Sequence, residues 1–412
     1  MTERPARGQE PPEPERPEPE RPDRPAQSEP PEPPEPSEPF EEPSGAPPLV
    51  TERYTPRPVP PETPVPPETP ILIEASVPME IGGLTDRGRR VRRFRLSAWI
   101  ALVLAAVVVG ASVLWVNGPP TEAELRERAG LLGKEILRIG VKDDTPGISF
   151  QDKAGERVFK GFDIDIAYMI AGDLGFPRDR VAFMAIETED RARMQARDKD
   201  GLFVRVDLVV ATFSVTPERL KDPSVGFSTP YLYTEQSVVT RSDYQGKITS
   251  LGQLRGMKVC TLGTSTSEAA LEQATRADVT ARNRISDCIE ELQAGKFEAV
   301  TTDAAILAGF VAEPERRLLH HDIALEKSEM WAVNAGPNAA LRDLVDLALY
   351  RSYADPQNHG WEDAYQDNIK PMLAASRDVN VAQSEQPCVL PPPIRRWPWE
   401  RGLSGVQECL SR

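Results

Sequence analysis

The sequence predicts an α/β fold arranged as two lobes. Three observations predict it: short apolar runs of strand character alternate with segments of helical period, about 10–15 residues separate successive runs as in parallel sheets, and the set occurs twice in the C-terminal part of the chain. The first element is a connector of helical look, TEAELRERAGLLGKE, which leads to a strand at 136–141, ILRIGV. A turn-rich KDDTPG and a hairpin around 153–156 precede GFDIDIAYMIAGDLGF, in which Ile164, Ala167, Tyr168 and Ala171 recur at helical spacing and Gly175 is the stop. Strands are expected at 180–186 and 206–211, with a helix carrying Arg191 and Met194 between them. The second set has strands at 237–240, 258–261 and 299–301, with helices starting near Ser267 and Ala304.

The residues before this unit have another character. Residues 1–86 hold 26 of the 42 prolines and 19 acidic residues against 7 arginines, a net of 7 − 19 = −12 within the chain's −15. Such a segment buries too little apolar surface to offset its ordering entropy and reads as a disordered tail, with VPPETP repeated at 59–64 and 65–70. Residues 96–116 form an uncharged run of 21, against the ~20 residues that cross ~30 Å of hydrocarbon. The basic segment 87–95, RGRRVRRFR, precedes it, so the positive-inside rule leaves the N-terminus cytoplasmic and exports the C-terminal bulk of the chain. The length of the run and its bulky end favour an uncleaved signal anchor over a cleaved signal. An ordinary cytosolic enzyme is thereby excluded. Acidity disfavours nucleic acid as a partner, since the one basic run abuts the membrane.

All four cysteines, Cys260, Cys288, Cys388 and Cys409, lie C-terminal to the span, where an oxidising compartment lets them pair. Four cysteines permit three connectivities, and the favoured one joins Cys260 to Cys288 within one folded unit and Cys388 to Cys409 around a Pro- and Trp-rich tail. No metal-ligand spacing and no cofactor fingerprint is present, so no metal or cofactor is expected.

Open α/β sheets bind ligands at the carboxyl ends of their strands, where loops lead into helix N-termini. Three such turns are rich in Ser and Thr: VVATFSVTPER, KVCTLGTSTSE and AVTTDAA. Capping explains any one hydroxyl. Capping does not explain all three together with an Arg and an Asp at set positions.

Together with LRIGVKDDTPGISF, FKGFDIDIAYMIA and the run VDLVVATFSVTPERLKDPSVGFSTPYLYTEQSVVT, these segments resemble the family-3 extracytoplasmic solute-binding proteins of polar amino-acid ABC importers. Within them the chain is most similar to actinobacterial glutamate, aspartate and glutamine binders. The resemblance covers roughly 136–373. It implies a periplasmic-binding-protein type II fold at 134–376, with lobe 1 at about 136–237 and 327–373, lobe 2 at about 238–326, and an extension at 377–412. It also implies a ligand site. Arg219 would clamp the α-carboxylate with two charge-assisted hydrogen bonds, and Thr212 and Ser214 would share that cradle. Thr264 and Thr266 would add donors from lobe 2, and Asp303 would accept from the α-ammonium. Arg191 aligns with a position that reaches a distal carboxylate, which favours an acidic ligand. Asp144 would contact the ligand amine or cap its loop. Glutamate, aspartate, glutamine and asparagine remain open as ligands.

The implied protein is a non-catalytic, membrane-anchored amino-acid receptor with its binding domain outside the cell. It would serve an ABC permease or a signalling membrane partner. The alternatives are a dehydratase-like enzyme on the same scaffold, for which only Asp303, Glu187 and Asp144 offer acid–base groups, and an assembly protein without ligand, against which the Arg219 and Asp303 pair argues. The extension either packs on a lobe or presents Trp397 and Trp399 to a partner.

Overall fold

The computed structural model describes residues 85–116, 118–152, 158–198, 200–323 and 329–395. The tail 1–84, the tip of the expected 153–156 hairpin, Trp397, Trp399 and Cys409 lie outside the described residues. Thr85–Val116 is one helix of 32 residues. Within it Val91–Gly110 is long and apolar enough to cross a membrane by length and composition, and none of it is buried.

The connector helix Glu122–Arg128 starts on a capping box, in which Thr121 Oγ1 accepts from Glu124 N–H and Glu124 Oε2 accepts from Thr121 N–H. Arg126 then donates to the carbonyls of Asp173 and Leu174 at 2.7 Å each, at the C-terminal end of helix Phe162–Asp173. A cation there satisfies carbonyls the helix leaves unpaired.

Two five-stranded sheets carry the lobes. In the first, Val181–Ala185, Leu137–Val141 and Leu208–Val209 run parallel, followed by Glu329–Asn334 and Phe227–Thr234, each antiparallel to its neighbour. In the second, Asp278–Arg282, Lys258–Leu262 and Ala299–Asp303 run parallel, followed by Gln236–Arg241 and Leu318–Asp322 in antiparallel pairing. Both sheets therefore have the order second, first, third, then an antiparallel pair. The chain passes from one sheet to the other at Glu235, between Phe227–Thr234 and Gln236–Arg241, and returns between Leu318–Asp322 and Glu329–Asn334.

Most of the expected elements form. Leu137–Val141 is almost wholly buried, and helix Phe162–Asp173 ends at Gly175 with φ +86°. Gly161, which caps that helix at φ +127°, lies where a Cβ would come within 2.4 Å of the Ile148 carbonyl oxygen. Only glycine fits there. One expected element is corrected. The helix expected between the strands, carrying Arg191 and Met194, is a 3-10 turn Thr188–Asp190 followed by a hairpin of Gln195–Arg197 with Phe203–Arg205. Its residues alternate exposed, buried, exposed around Ala196, a period of two. Asp198 Oδ1 accepts from the N–H groups of Asp200 and Leu202 and closes the turn. The expected strand at 206–211 shortens to Leu208–Val209: Val206 N–H donates to the Met194 carbonyl at the base of the hairpin, and the chain bends at Ala211 and Thr212.

Cys260 and Cys288 form a disulfide that ties strand Lys258–Leu262 to helix Ile285–Gln293 inside the core. Cys388 is also disulfide-bonded. The segment after Ser376 packs on the hinge. Thr234 bridges to Ala382, Thr234 Oγ1 donates to the Val381 carbonyl at 2.6 Å, and Gln383 N–H donates to Tyr233. Asn380 Nδ2 donates to Glu235 Oε1, and Ser376 Oγ pairs with His320 Nδ1 at 2.9 Å. Farther on, Arg395 N–H donates to the Pro120 carbonyl at 2.8 Å.

Candidate functional site

In a sheet ordered second, first, third, the connections from the first strand and to the third leave on opposite faces, which opens a crevice at their carboxyl ends. In lobe 1 this crevice is bordered by Lys142–Asp144 and by the turn beginning at Thr212. In lobe 2 it is bordered by Gly263–Thr266 and by Asp303. Sheet order thus assembles seven of the eight expected residues, all but Arg191, from four loops.

Arg219 stands in the helical turn Pro217–Leu220, capped by Thr216 Oγ1. Its Nη1 donates to the Ser214 carbonyl at 2.7 Å and its Nη2 crosses the crevice to the Thr264 carbonyl at 2.9 Å. The two loops therefore meet across the lobe seam. Thr212 and Thr264 both take left-handed backbone conformations, φ 48° and 60°. For a β-branched residue that costs free energy, which the surrounding bonds must offset. At Thr212 the N–H donates to buried Asp163 Oδ2; at Thr264 it donates to Glu268 Oε2 at 2.7 Å. Segment 213–215 is held from behind by strand Glu329–Asn334, through Ala332 N–H to the Phe213 carbonyl and Val215 N–H to the Met330 carbonyl.

Asp303 ends strand Ala299–Asp303 and starts helix Ala304–Val311. It is buried, and its Oδ2 accepts from Trp331 Nε1 at 2.6 Å. Burial, then the charge of Glu329, pushes its pKa up to about 7, while Trp331, Arg191 and Arg219 oppose the rise. Burial lowers the pKa of Arg219, and the charges of Glu329, Asp303 and Glu218 oppose the fall. The cation of lobe 1 and the acid of lobe 2 are thus electrostatic neighbours. Beside them a cavity of about 530 Å³ lies between Val215–Pro217 and Thr266, backed by Tyr233, Glu329, Met330 and Gln383.

Arg191 takes a place under the cradle. Its Nε donates to the Thr188 carbonyl and its Nη1 to the carbonyls of Ala211 and Thr212, at 2.7–3.1 Å. Burial lowers its pKa to about 9, and its guanidinium lies 4.8 Å from the Phe213 ring centre, as that of Arg219 does at 4.7 Å. Asp144 reaches lobe 2, where its Oδ2 accepts from Ser286 N–H and Oγ at the start of helix Ile285–Gln293. Next to it Asp143 pairs with Arg284 at 2.8 Å. Lys142, Asp163, Phe213 and Trp331 are parts of the site that sequence reasoning misses. The one signal for Lys142 is its position directly after the first strand. Among the described residues no cluster of His, Cys, Asp or Glu is suited to hold a metal ion.

Two α/β lobes on a two-crossing hinge, meeting over a crevice with a cation on one side and an acid on the other, define a two-lobed binding protein that encloses a small polar solute. The chain belongs to the bacterial extracellular solute-binding proteins, family 3, whose family model matches residues 137–365. It is similar to the glutamate-binding protein GluB of Corynebacterium efficiens, 27% identical over 230 residues that cover 53% of this chain and 74% of that protein. It is also similar to the ABC transporter glutamine-binding protein GlnH of Bacillus subtilis, 27% identical over 276 residues, 66% of this chain and 96% of that one. Among solved structures, a solute receptor for L-cysteine of Neisseria gonorrhoeae is 25% identical, with a TM-score of 0.51 over 62% of this chain and 96% of that one.

Proposed function

We propose that this protein is a membrane-anchored, extracytoplasmic receptor that closes its two lobes over a free amino acid. The observation that carries the reading is that Arg219 of lobe 1 reaches across the seam to the Thr264 carbonyl while buried Asp303 of lobe 2 lies within its electrostatic field. A planar guanidinium takes a carboxylate through two parallel bonds, and a buried carboxylate takes an ammonium. In the complex the α-carboxylate replaces the Ser214 and Thr264 carbonyls on Arg219, and the α-ammonium charges Asp303. Thr212, Ser214 and Thr266 supply further polar groups around the same zwitterion. Binding and closure are then one event, because the partners sit on different lobes. The names of GluB and GlnH point to glutamate or glutamine as ligand classes.

The helix Thr85–Val116 and the arginines at its start support an anchor with the tail inside the cell. An ABC permease is the partner an importer role requires, and a signalling membrane protein the partner a sensor role requires. The deciding test of ligand binding is calorimetry of the full-length chain in detergent micelles against the twenty amino acids, with Arg219→Ala and Asp303→Ala. A dissociation constant at or below about 1 μM, equivalent to about −8 kcal/mol, lost in both variants, supports the reading. Absence of heat with every amino acid refutes it. Deleting residues 1–86 separates the roles, since uptake needs only the exported unit and signalling needs the tail.

A further inference from the structure

At the other end of the crevice the buried side chains of Lys142 and Asp144, and one buried carboxylate oxygen of half-buried Glu187, lack adequate partners. Lys142 is 2% exposed, and its Nζ finds Thr188 Oγ1 at 3.3 Å, the Asn283 carbonyl at 3.5 Å and Asp144 Oδ1 at 3.7 Å. These distances lie at or beyond the outer limit for an ammonium donor. Asp144 is 3% exposed, and its Oδ1 has no hydrogen-bond partner; nor has the buried Oε2 of Glu187. The three lie together: Ile186 N–H donates to the Val141 carbonyl and Lys142 Nζ to Thr188 Oγ1, which sets Glu187 beside Lys142, and Asp144 and Glu187 are among the charges that act on it. Arg191 links the group to the zwitterion anchors, since it donates both to the Thr188 carbonyl and to the Thr212 carbonyl of the cradle.

A buried donor and two buried acceptors left open in a closed seam mark a place that a ligand group completes. The chemistry of that group is dictated by the set. A carboxylate would accept from Lys142 but would be pressed against two acidic oxygens. An ammonium or guanidinium would satisfy both acids but would face the Lys142 charge. A carboxamide offers one carbonyl acceptor and two N–H donors in a plane. Among carboxylate, ammonium, guanidinium and carboxamide side-chain groups, it alone answers all three.

Resting on the reading of the crevice as an amino-acid site, we propose that Lys142, Asp144 and Glu187 form its side-chain subsite and select a carboxamide, glutamine or asparagine, over the corresponding acids. The ligand's amide oxygen accepts from Lys142 Nζ, and its NH2 donates to Asp144 Oδ1 and Glu187 Oε2. Arg191, with Nε and Nη1 committed to main-chain carbonyls, holds the floor between the two ends.

The test is titration of the full-length chain in micelles with glutamine, asparagine, glutamate, aspartate and arginine, repeated on Lys142→Met and Asp144→Asn. The expected result is that one amide binds at least tenfold more tightly than either acid. Lys142→Met should lower the amide's affinity by tenfold or more. Asp144→Asn should move the preference toward the acid, because the new NH2 repels the ligand's NH2 and welcomes a carboxylate. Tighter binding of an acid or of arginine to the unmodified chain would overturn the subsite while leaving the amino-acid reading intact. Absence of binding by every amino acid would overturn both. The comparison on the unmodified chain decides the matter even if a variant fails to fold.

Discussion

The carboxylate of Asp163 holds the main-chain N–H of Thr212 at 3.0 Å, and this bond fixes the crevice floor in a left-handed turn. The other oxygen accepts from the Tyr231 hydroxyl at 2.9 Å, and all of it is buried. The motif KGFDID therefore does more than start a helix: its first Asp positions a residue 49 positions later in the chain. Burial pushes the Asp163 pKa up to about 7, against the pull of its two hydrogen bonds.

Removing that carboxylate leaves two buried donors unpaired. Asp163→Ala is expected to cost about 2–5 kcal/mol of stability, read by urea unfolding, and to weaken ligand binding. Asp163→Asn keeps an acceptor for Thr212 and turns its NH2 toward the Tyr231 oxygen, so it should lose less than half as much. Equal losses in the two variants would show that shape rather than hydrogen bonding matters at this position.

Ligand affinity should rise with pH up to about 7. In the free crevice Asp303 has a pKa raised to about 7 by burial and Glu329, whereas a bound ammonium beside it would lower that pKa. Below 7 the free protein carries a proton that binding has to expel. The complex is therefore favoured as pH rises, and the dissociation constant should increase about tenfold per unit below 7 and level off above it. Titrations at several pH values check this, and a flat profile for the unmodified chain would sink it. Asp303→Asn should bind more weakly, with the slope gone.

Reduction of Cys260–Cys288 should destabilise lobe 2. The bond closes a loop with a sequence separation of 28, for which the chain-entropy estimate is about 3–4 kcal/mol. Because both sulfurs are buried, reduction should need partial unfolding first. Thermal melting with and without reductant under denaturing pre-incubation is the measurement, and an unchanged midpoint would contradict it.

Thr234→Val should loosen the C-terminal segment. Thr234 Oγ1 donates to the Val381 carbonyl and accepts from Ala305 N–H at 3.2 Å, so the valine leaves both unpaired. A loss of about 1–3 kcal/mol is expected. Amide exchange at Gln383, whose N–H donates to Tyr233, should accelerate. Unchanged protection there would mean that the segment is held by other contacts.

The parts of this molecule that are legible in the sequence are those built from local pattern. Leu137–Val141 is a largely apolar run, Ala299–Asp303 a short β-branched run buried throughout that ends at a helix start, and Thr266–Ala274 begins at a Ser265 cap, so local composition and caps mark them. The hairpin at Gln195–Arg197 and Phe203–Arg205 escapes such reading because its polar, Arg-rich residues carry no strong apolar period. The hinge segment 376–395 escapes it for a different reason. Val381, Ala382, Val389 and Ile394 join the core but are scattered among prolines and polar residues without a period, and the bonds to Tyr233, Thr234 and Glu235 that seat the segment leave no hydrophobic signature. Lys142 is hidden because its environment is assembled from afar: Asn283, its lobe-2 neighbour, lies 141 positions away. Arg191 reads in sequence as an exposed or ligand-facing cation, and only the folded chain shows three carbonyls converging on it.

The bond between Arg395 and Pro120 brings the last described residue beside the start of the connector. Both belong to lobe 1, where Glu122 pairs with Arg351 of helix Ala339–Ala354 and Arg126 with the end of Phe162–Asp173. Lobe 2 is then an insertion, joined to the rest through the two crossings and its own surface contacts. In kinematic terms lobe 1 is the frame and lobe 2 the swinging jaw.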